Sequence, residues 1–344
     1  MPVADTEATR VVRTLCVFAR EPSEAAWIDL FRIEGLLLER GFAVQTVRLC
    51  SPGESPALLE EAVPDERVML SLGTVPFERV SAVLPGFLAS DRVSFNVDLS
   101  SADIGSEHVG LLERMISENP GSTFRFCFVF DHVPSSPYFP SARYEKDGFS
   151  VGLQPTDLSV GCDSVEEWLA VVKNMWLSLD ELLCEEPGYL GIDSSIAPLF
   201  DGPSSLVCFL NRLGISFPRS ATSDLYLRMT AFLATENPRP VGLCGLMLPC
   251  LEDFALAREY ERGEFSIERN LFLSLHSGLG IDTYPLGVDE DPTRIAEVLR
   301  LVQGLAAKHR KPLSVRFVSD GRAHVGERTD FGNQYLQDVT VRPL

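Results

Sequence analysis

A single-domain α/β barrel is the fold class this sequence predicts, and three observations predict it. Strand-like and helix-like segments alternate regularly over the first 130 residues, the mark of repeated βα units around a largely parallel sheet. The chain is 344 residues long and 45% hydrophobic, with a mean hydropathy of +0.08, enough for one large core. No composition shift marks a boundary, so residues 1–344 are taken as one domain. A first half-barrel is expected over about 10–131 and a second over about 149–340.

The elements follow from periodicity. Residues 12–20 read as a buried strand. A helix follows from about Ser23, with Trp27, Leu30, Phe31, Ile33, Leu36 and Leu37 at near-helical spacing and Gly41 as its stop. Residues 43–50, 68–72, 93–99 and 124–130 supply four more strands, with helical patterns at 56–62, 76–89 and 107–118 between them. From 132 to 147 the pattern breaks, because Pro134, Pro137 and Pro140 exclude a regular helix or central strand. That stretch is read as a lid or a dimer contact.

A strand resumes at 149–153, and Ser164 with Glu167 makes a capping box for a long helix. Its stripe of Trp168, Val172, Met175, Trp176 and Leu179 is a core face. Residues 191–198 read as a loop, 203–213 and 222–235 as helices, and 242–248 as a buried strand ending at Pro249. A helix follows near Leu251, another spans 292–309 with Pro292 in its first turn, and 313–318 is a late strand.

Composition excludes several function classes. The net charge is −19, with 30 basic against 49 acidic residues, and such a surface repels phosphate backbones. The longest basic run, Lys308 to Lys311, closes a helix, where the dipole favours cations. The eight cysteines lack Cys-x-x-Cys spacing, so reduced thiols in a cytoplasmic protein are expected, and no nucleic-acid partner. The stretch from Met1 to Arg13 has no apolar signal core, and no apolar run reaches the length of a membrane span.

Five segments carry a family resemblance. They are Ser136-Pro137-Tyr138-Phe139-Pro140 with the following 148–153, Gly191-Ile192-Asp193-Ser194-Ser195, and Gly245-Leu246-Met247-Leu248-Pro249 with Leu251-Glu252-Asp253. Gly280-Ile281-Asp282-Thr283-Tyr284-Pro285 and Lys311-Pro312-Leu313-Ser314-Val315-Arg316-Phe317 complete the set. In order and spacing they resemble the domain of unknown function 711 family, over roughly residues 90–340. The resemblance implies a barrel related to that of pyruvate formate-lyase-like glycyl radical enzymes, built from two five-stranded halves. It implies no radical chemistry here, since the tail around Gly332 is not a glycyl-radical motif. Relatives tend to carry a cysteine where this chain has Ser277, which removes any thiol mechanism inherited through that position.

Candidate chemistry gathers in these segments. Glu252 and Asp253, beyond a strand end, could act as a general acid/base pair or magnesium ligands, or cap the next helix. Asp193 and Ser195 sit in a polar loop that suits either a ligand or an ordinary turn. Asp282 lies in a Gly-rich segment whose spacing makes no dinucleotide fingerprint, so no nucleotide cofactor is expected. Lys311 and Arg316 flank the late strand, and Arg316 alternates with Val315 and Phe317, an interior anion anchor or an ordinary ion pair. His276 with Ser277 and, more weakly, His132 complete the candidates.

The expected function is a small-molecule enzyme using non-radical acid/base or metal-assisted chemistry, of lyase, isomerase or hydrolase type. Its substrate would be a small polar or anionic metabolite, bound by a protein free to self-associate. The rival is a non-catalytic small-ligand-binding or regulatory protein on an ancestral barrel. Convergence of three or more named polar groups on one buried pocket favours the enzyme.

Overall fold

In the computed structural model, which describes residues 10–53 and 55–344, ten strands form one sheet. Most of the polar amino-terminal stretch, through Thr9, lies outside the described residues. The strands are β1 (Val11–Phe18), β2 (Ala43–Val44), β3 (Val47–Cys50), β4 (Val68–Thr74), β5 (Val93–Asp98), β6 (Phe126–Phe130), β7 (Gly148–Leu153), β8 (Tyr189–Asp193), β9 (Gly280–Pro285) and β10 (Leu313–Val318). Their order is β8-β7-β1-β3-β4-β5-β6-β10-β9, with β2 beside β1.

Direction splits this sheet in two. From β1 through β6 every pairing is parallel, as is β7 with β8 and β9 with β10. The seams, β1 with β7 and β6 with β10, are antiparallel. The first set runs from β1 to β6 in chain order, as βα repetition dictates.

Period-two alternation assigns the two faces. Val47, Leu49, Leu70, Phe95, Phe128 and Val315 join the main apolar core under the helices. Their neighbours Arg48, Met69, Ser94, Cys127, Ser314 and Arg316 line a cavity on the other face. Fully burying a large apolar side chain contributes about 1.5–3 kcal/mol, so register is strongly held by the outer face. The inner face is left free to be polar.

Several helices sit where periodicity puts them, among them Glu24–Glu39, Pro56–Ala62, Phe77–Ala89, Ser106–Glu118 and Pro292–His309. The helix Val165–Leu183 is capped by Ser164, whose side chain accepts from Glu167 N at 3.1 Å. Glu167 reaches back one residue further than a capping box requires, to Asp163 N at 2.9 Å.

Three segment assignments need correction. Residues 43–50 are two strands rather than one, interrupted at Gln45 and Thr46. Residues 191–198 are not wholly loop, since Gly191, Ile192 and Asp193 end strand β8. The strand expected at 242–248 is no ladder strand, because Gly242 and Cys244 adopt positive φ (71° and 45°) and break the extended run. Instead, isolated parallel bridges tie this segment to both free edges: Ile192 with Pro240 and Ile196 with Leu246 on one side, Leu246 with Gly278 and Pro249 with Asp282 on the other. The continuous ladder is therefore open between β8 and β9, with an irregular segment lying across the gap.

The Pro-rich stretch is neither an exposed lid nor a surface loop over much of its length. Residues 135–138 and 140–142 are buried against the inner face. Strand side chains satisfy its carbonyls: Thr14 Oγ1 donates to Pro137 O at 3.0 Å, and Asn96 Nδ2 donates to Pro140 O and Ala142 O, each at 2.8 Å. Prolines lack an N–H, so a plug of this composition brings fewer donors that need partners inside the fold.

Candidate functional site

The cavity on the inner face has a volume of about 130 Å³. Its floor includes Tyr138, Phe139 and Pro140 of the plug, and Met247, Leu248 and Pro249 of the bridging segment form part of its wall. Five arginines line it, Arg13, Arg48, Arg92, Arg125 and Arg316, facing only two carboxylates, Glu252 and Asp282. In a chain of net charge −19 this is a local inversion of sign.

Arg316 is the hub. From β10 its Nε donates to Asp282 Oδ1 at 2.6 Å, its Nη2 donates to Glu252 Oε1, and its Nη1 donates to Phe124 O at 3.3 Å. The guanidinium also lies 5.1 Å from the centre of the Phe124 ring. Burial works against its charge, but Asp282 and Glu252 outweigh that, so its pKa stands above the usual arginine value. Burial raises the pKa of Glu252, against the pull of Arg316.

A bulge aims Asp282 inward. In the β9–β10 ladder Val315 pairs with Ile281 and Phe317 with Tyr284, so two residues of β9, Asp282 and Thr283, oppose Arg316 alone. Thr283 takes a positive φ of 42°, rare for a β-branched residue, and thereby absorbs the extra position.

Arg13 and Arg48 stand on neighbouring strands. Arg48 donates from Nε to Thr46 Oγ1 at 3.0 Å and from Nη1 to Pro137 O at 3.3 Å. Burial and the charge of Arg13 bring its pKa down to about 10. Arg13 is 8% exposed, and its Nε is buried without a hydrogen-bond partner. Its nearest countercharge is Glu252 Oε2, 3.7 Å from Nη2. Arg92 and Arg125 are anchored differently, to backbone carbonyls of Asp65, Val63 and Val93 at strand starts.

Two other carboxylates singled out from sequence are occupied by backbone. Asp253 caps the helix Phe254–Glu261 through Ala255 N and Leu256 N, at 3.1 and 3.2 Å. The same carboxylate accepts from Ser205 Oγ at 2.6 Å and Leu206 N at 3.2 Å, at the start of the helix Leu206–Arg212. Two helix N-termini thus share one anion. Burial still lifts its pKa to about 6.

Asp193 closes β8 as a pin. It accepts from Ser195 N, Ser195 Oγ and Cys244 N through Oδ1, and from Ser136 Oγ and Leu243 N through Oδ2, over 2.6–3.0 Å. Plug, strand and bridging segment meet on one carboxylate. Gly242 is required beside it, for a Cβ there would fall 2.3 Å from Asp193 Oδ2.

The remaining candidates lie away from the cavity lining. Lys311 Nζ donates to Ser274 O at 3.1 Å, and desolvation brings its pKa down to about 8. His276 Nδ1 is 2.7 Å from Ser277 Oγ, and burial lowers the histidine's pKa. Ser195 serves Asp193 and accepts from Gly245 N at 3.2 Å. His132 is buried, and desolvation takes its pKa down to about 4.

Of the named groups, Glu252, Asp282 and Arg316 converge on one buried cavity. Arg13 and Arg48 were missed, although each is an arginine inside an apolar run, a signal that was available. For magnesium the donor set does not fit. Both cavity carboxylates are taken by Arg316, and among the described residues no three His, Cys, Asp or Glu side chains group as ligands.

Residues 88–333 match the family described as "Uncharacterised ACR (DUF711)". The chain belongs to that family. The DUF711 match includes Asp193, Glu252, Asp282 and Arg316, and begins after Arg13 and Arg48. No curated protein matches the chain. Among the described residues no helix is long and apolar enough to cross a membrane.

Proposed function

We propose that this DUF711 protein is an enzyme acting by non-radical acid/base chemistry on a small anionic metabolite held in the arginine-lined cavity. The observation that carries the reading is the convergence of Glu252, Asp282 and Arg316 there, with arginines in excess over carboxylates. Glu252 is the proton-transfer group: burial raises its pKa while Arg316 orients it, the environment that suits a general acid or base. Asp282 holds Arg316 in place. Asp253 and Asp193, with their acceptors turned to backbone and serine donors, act in the scaffold. A cavity of about 130 Å³ is smaller than drug-sized ligand sites, which suits a small metabolite.

The bridging segment supports a finer reading of the fold, in which it stands as the missing wall of a ten-membered barrel of two halves. Eight free thiols support a cytoplasmic setting. The cavity arginines point inward, consistent with a small-molecule partner rather than a nucleic acid.

A second reading, a ligand-binding protein without turnover, is favoured by the engagement of Arg316, each of whose nitrogens already has a partner. The test is to incubate purified protein with a small-metabolite extract and follow depletion and product formation by mass spectrometry. Turnover that disappears in Glu252→Gln supports the enzyme. A retained metabolite without turnover supports the binder.

A further inference from the structure

Buried charges in a folded protein are paired, because an uncompensated ion in a low-dielectric interior is costly. The inner cluster departs from that rule. Arg13, Arg48 and Arg316 are each at most 9% exposed, and the only carboxylates that line the cavity with them are Glu252 and Asp282. Arg316 engages both carboxylates directly. Arg92 and Arg125 find their countercharges outside the cavity, Arg92 in Glu60 at 3.8 Å and Arg125 in the nearby Asp91 and Glu60, and both also donate to backbone carbonyls. One positive charge is left over, and it falls on the Arg13–Arg48 pair.

The same pair has open hydrogen-bonding capacity. Arg13 Nε has no partner, and its one ion pair, at 3.7 Å, is longer than a hydrogen bond. Arg48 spends Nε and Nη1 on Thr46 and Pro137. Planar guanidiniums present N–H groups in a fork that matches two oxygens in one plane.

We infer that Arg13 and Arg48 form a subsite for a single carboxylate group of the ligand, so that the molecule bound in the cavity is a small monocarboxylic acid or carries one such group at this end. This rests on the reading of the cavity as the site of a small anionic metabolite, and narrows it. One excess charge matches a monoanion, whereas a phosphate dianion would leave the cluster negative. Because Arg13 lies against Glu252, a carboxylate seated here places its neighbouring carbon on the side of the acid/base group.

Calorimetric titration of the full chain with lactate, its neutral isostere lactamide and inorganic phosphate, at matched ionic strength, tests the class without any variant. Lactate is expected to bind at least tenfold more tightly than either of the others. Phosphate binding preferred over lactate, or lactate and lactamide binding alike, overturns the inference.

Arg13→Gln then tests the position. It leaves two arginines facing two carboxylates, so thermal stability without ligand should be unchanged or raised while lactate affinity falls at least tenfold, and Arg13→Lys should recover part of it. A folded Arg13→Gln that binds lactate normally overturns the assignment, as does loss of its unliganded stability, which makes Arg13 structural. Lactate binding through Arg13 with no turnover of any extract metabolite leaves the subsite standing and removes the enzyme reading. Turnover indifferent to Arg13 does the reverse.

Discussion

Arg316 on β10 and Asp282 on β9 are joined at 2.6 Å across a bulge in a parallel ladder, and that pair turns the inner face of the sheet into a charged site. Two charges this deep are held because each compensates the other, and because Glu252 and the Phe124 carbonyl each accept from one of the two terminal nitrogens. Removing the cation alone should therefore cost more than removing an ordinary surface pair.

Arg316→Ala is expected to destabilise the fold by about 3–5 kcal/mol, since it removes the cation hydrogen-bonded to both Asp282 and Glu252, and Arg13 touches only Glu252, at 3.7 Å. Burial already raises the Glu252 pKa and Arg316 opposes it, so relative to the parent the variant should lose stability as pH rises from the acidic range. Urea denaturation at pH 4 and pH 8 checks it. A variant as stable as the parent at pH 8 would show that the cluster does not hold the sheet.

Asp253 and His132 should tilt the pH profile in opposite directions. The folded Asp253 sits at about 6 against 3.8, so its stabilising contribution is present below 3.8 and lost as pH rises through 6, worth about 3 kcal/mol. The folded His132 sits at about 4 against 6.5, so its contribution is present above 6.5 and lost as pH falls towards 4, again about 3 kcal/mol. Relative to the parent, Asp253→Asn should lose stability on acidification from pH 7 to 4 and His132→Asn should gain it. Parallel profiles for both variants would contradict these assignments.

Gly242→Ala and Gly304→Ala form a matched pair. A Cβ at Gly242 would collide with Asp193 Oδ2 and Ser136, and with φ at 71° the backbone resists it as well. Disrupting that pin leaves buried donors unpaired at about 1–3 kcal/mol each, so little folded protein is expected. At Gly304, inside a helix with nothing within 4 Å, alanine should stabilise by about 0.5–1 kcal/mol. Thermal denaturation of both separates the two cases.

Tyr335 lines the cavity. Its ring stacks between Phe124 and Phe200, with centroids at 6.4 and 5.6 Å, and it contributes to the cavity wall. Tyr335→Ala should speed modification of the cavity thiol Cys127 by methyl methanethiosulfonate severalfold, read by mass spectrometry, while unfolding free energy changes by about 1 kcal/mol. An unchanged rate would mean that entry does not pass this ring.

Much of the framework was legible from periodicity alone. The alternation of Val47, Arg48 and Leu49, or of Val315, Arg316 and Phe317, states which residues share a face, because side-chain direction in a strand has a period of two. The helices Pro56–Ala62, Phe77–Ala89 and Pro292–His309 follow from local apolar spacing and turn residues, which act within a few positions of one another. Only the tertiary structure decided which face looks inward, that 132–147 fills that interior, and that Asp193 and Asp253 serve backbone donors while Glu252 and Asp282 serve a cavity. Those outcomes depend on contacts between residues such as Asp193 and Ser136, 57 positions apart, or Arg316 and Glu252, 64 apart. A carboxylate's local sequence is much the same whether it caps a helix or faces a ligand, and what separates the two is which donors the rest of the chain brings within about 3 Å.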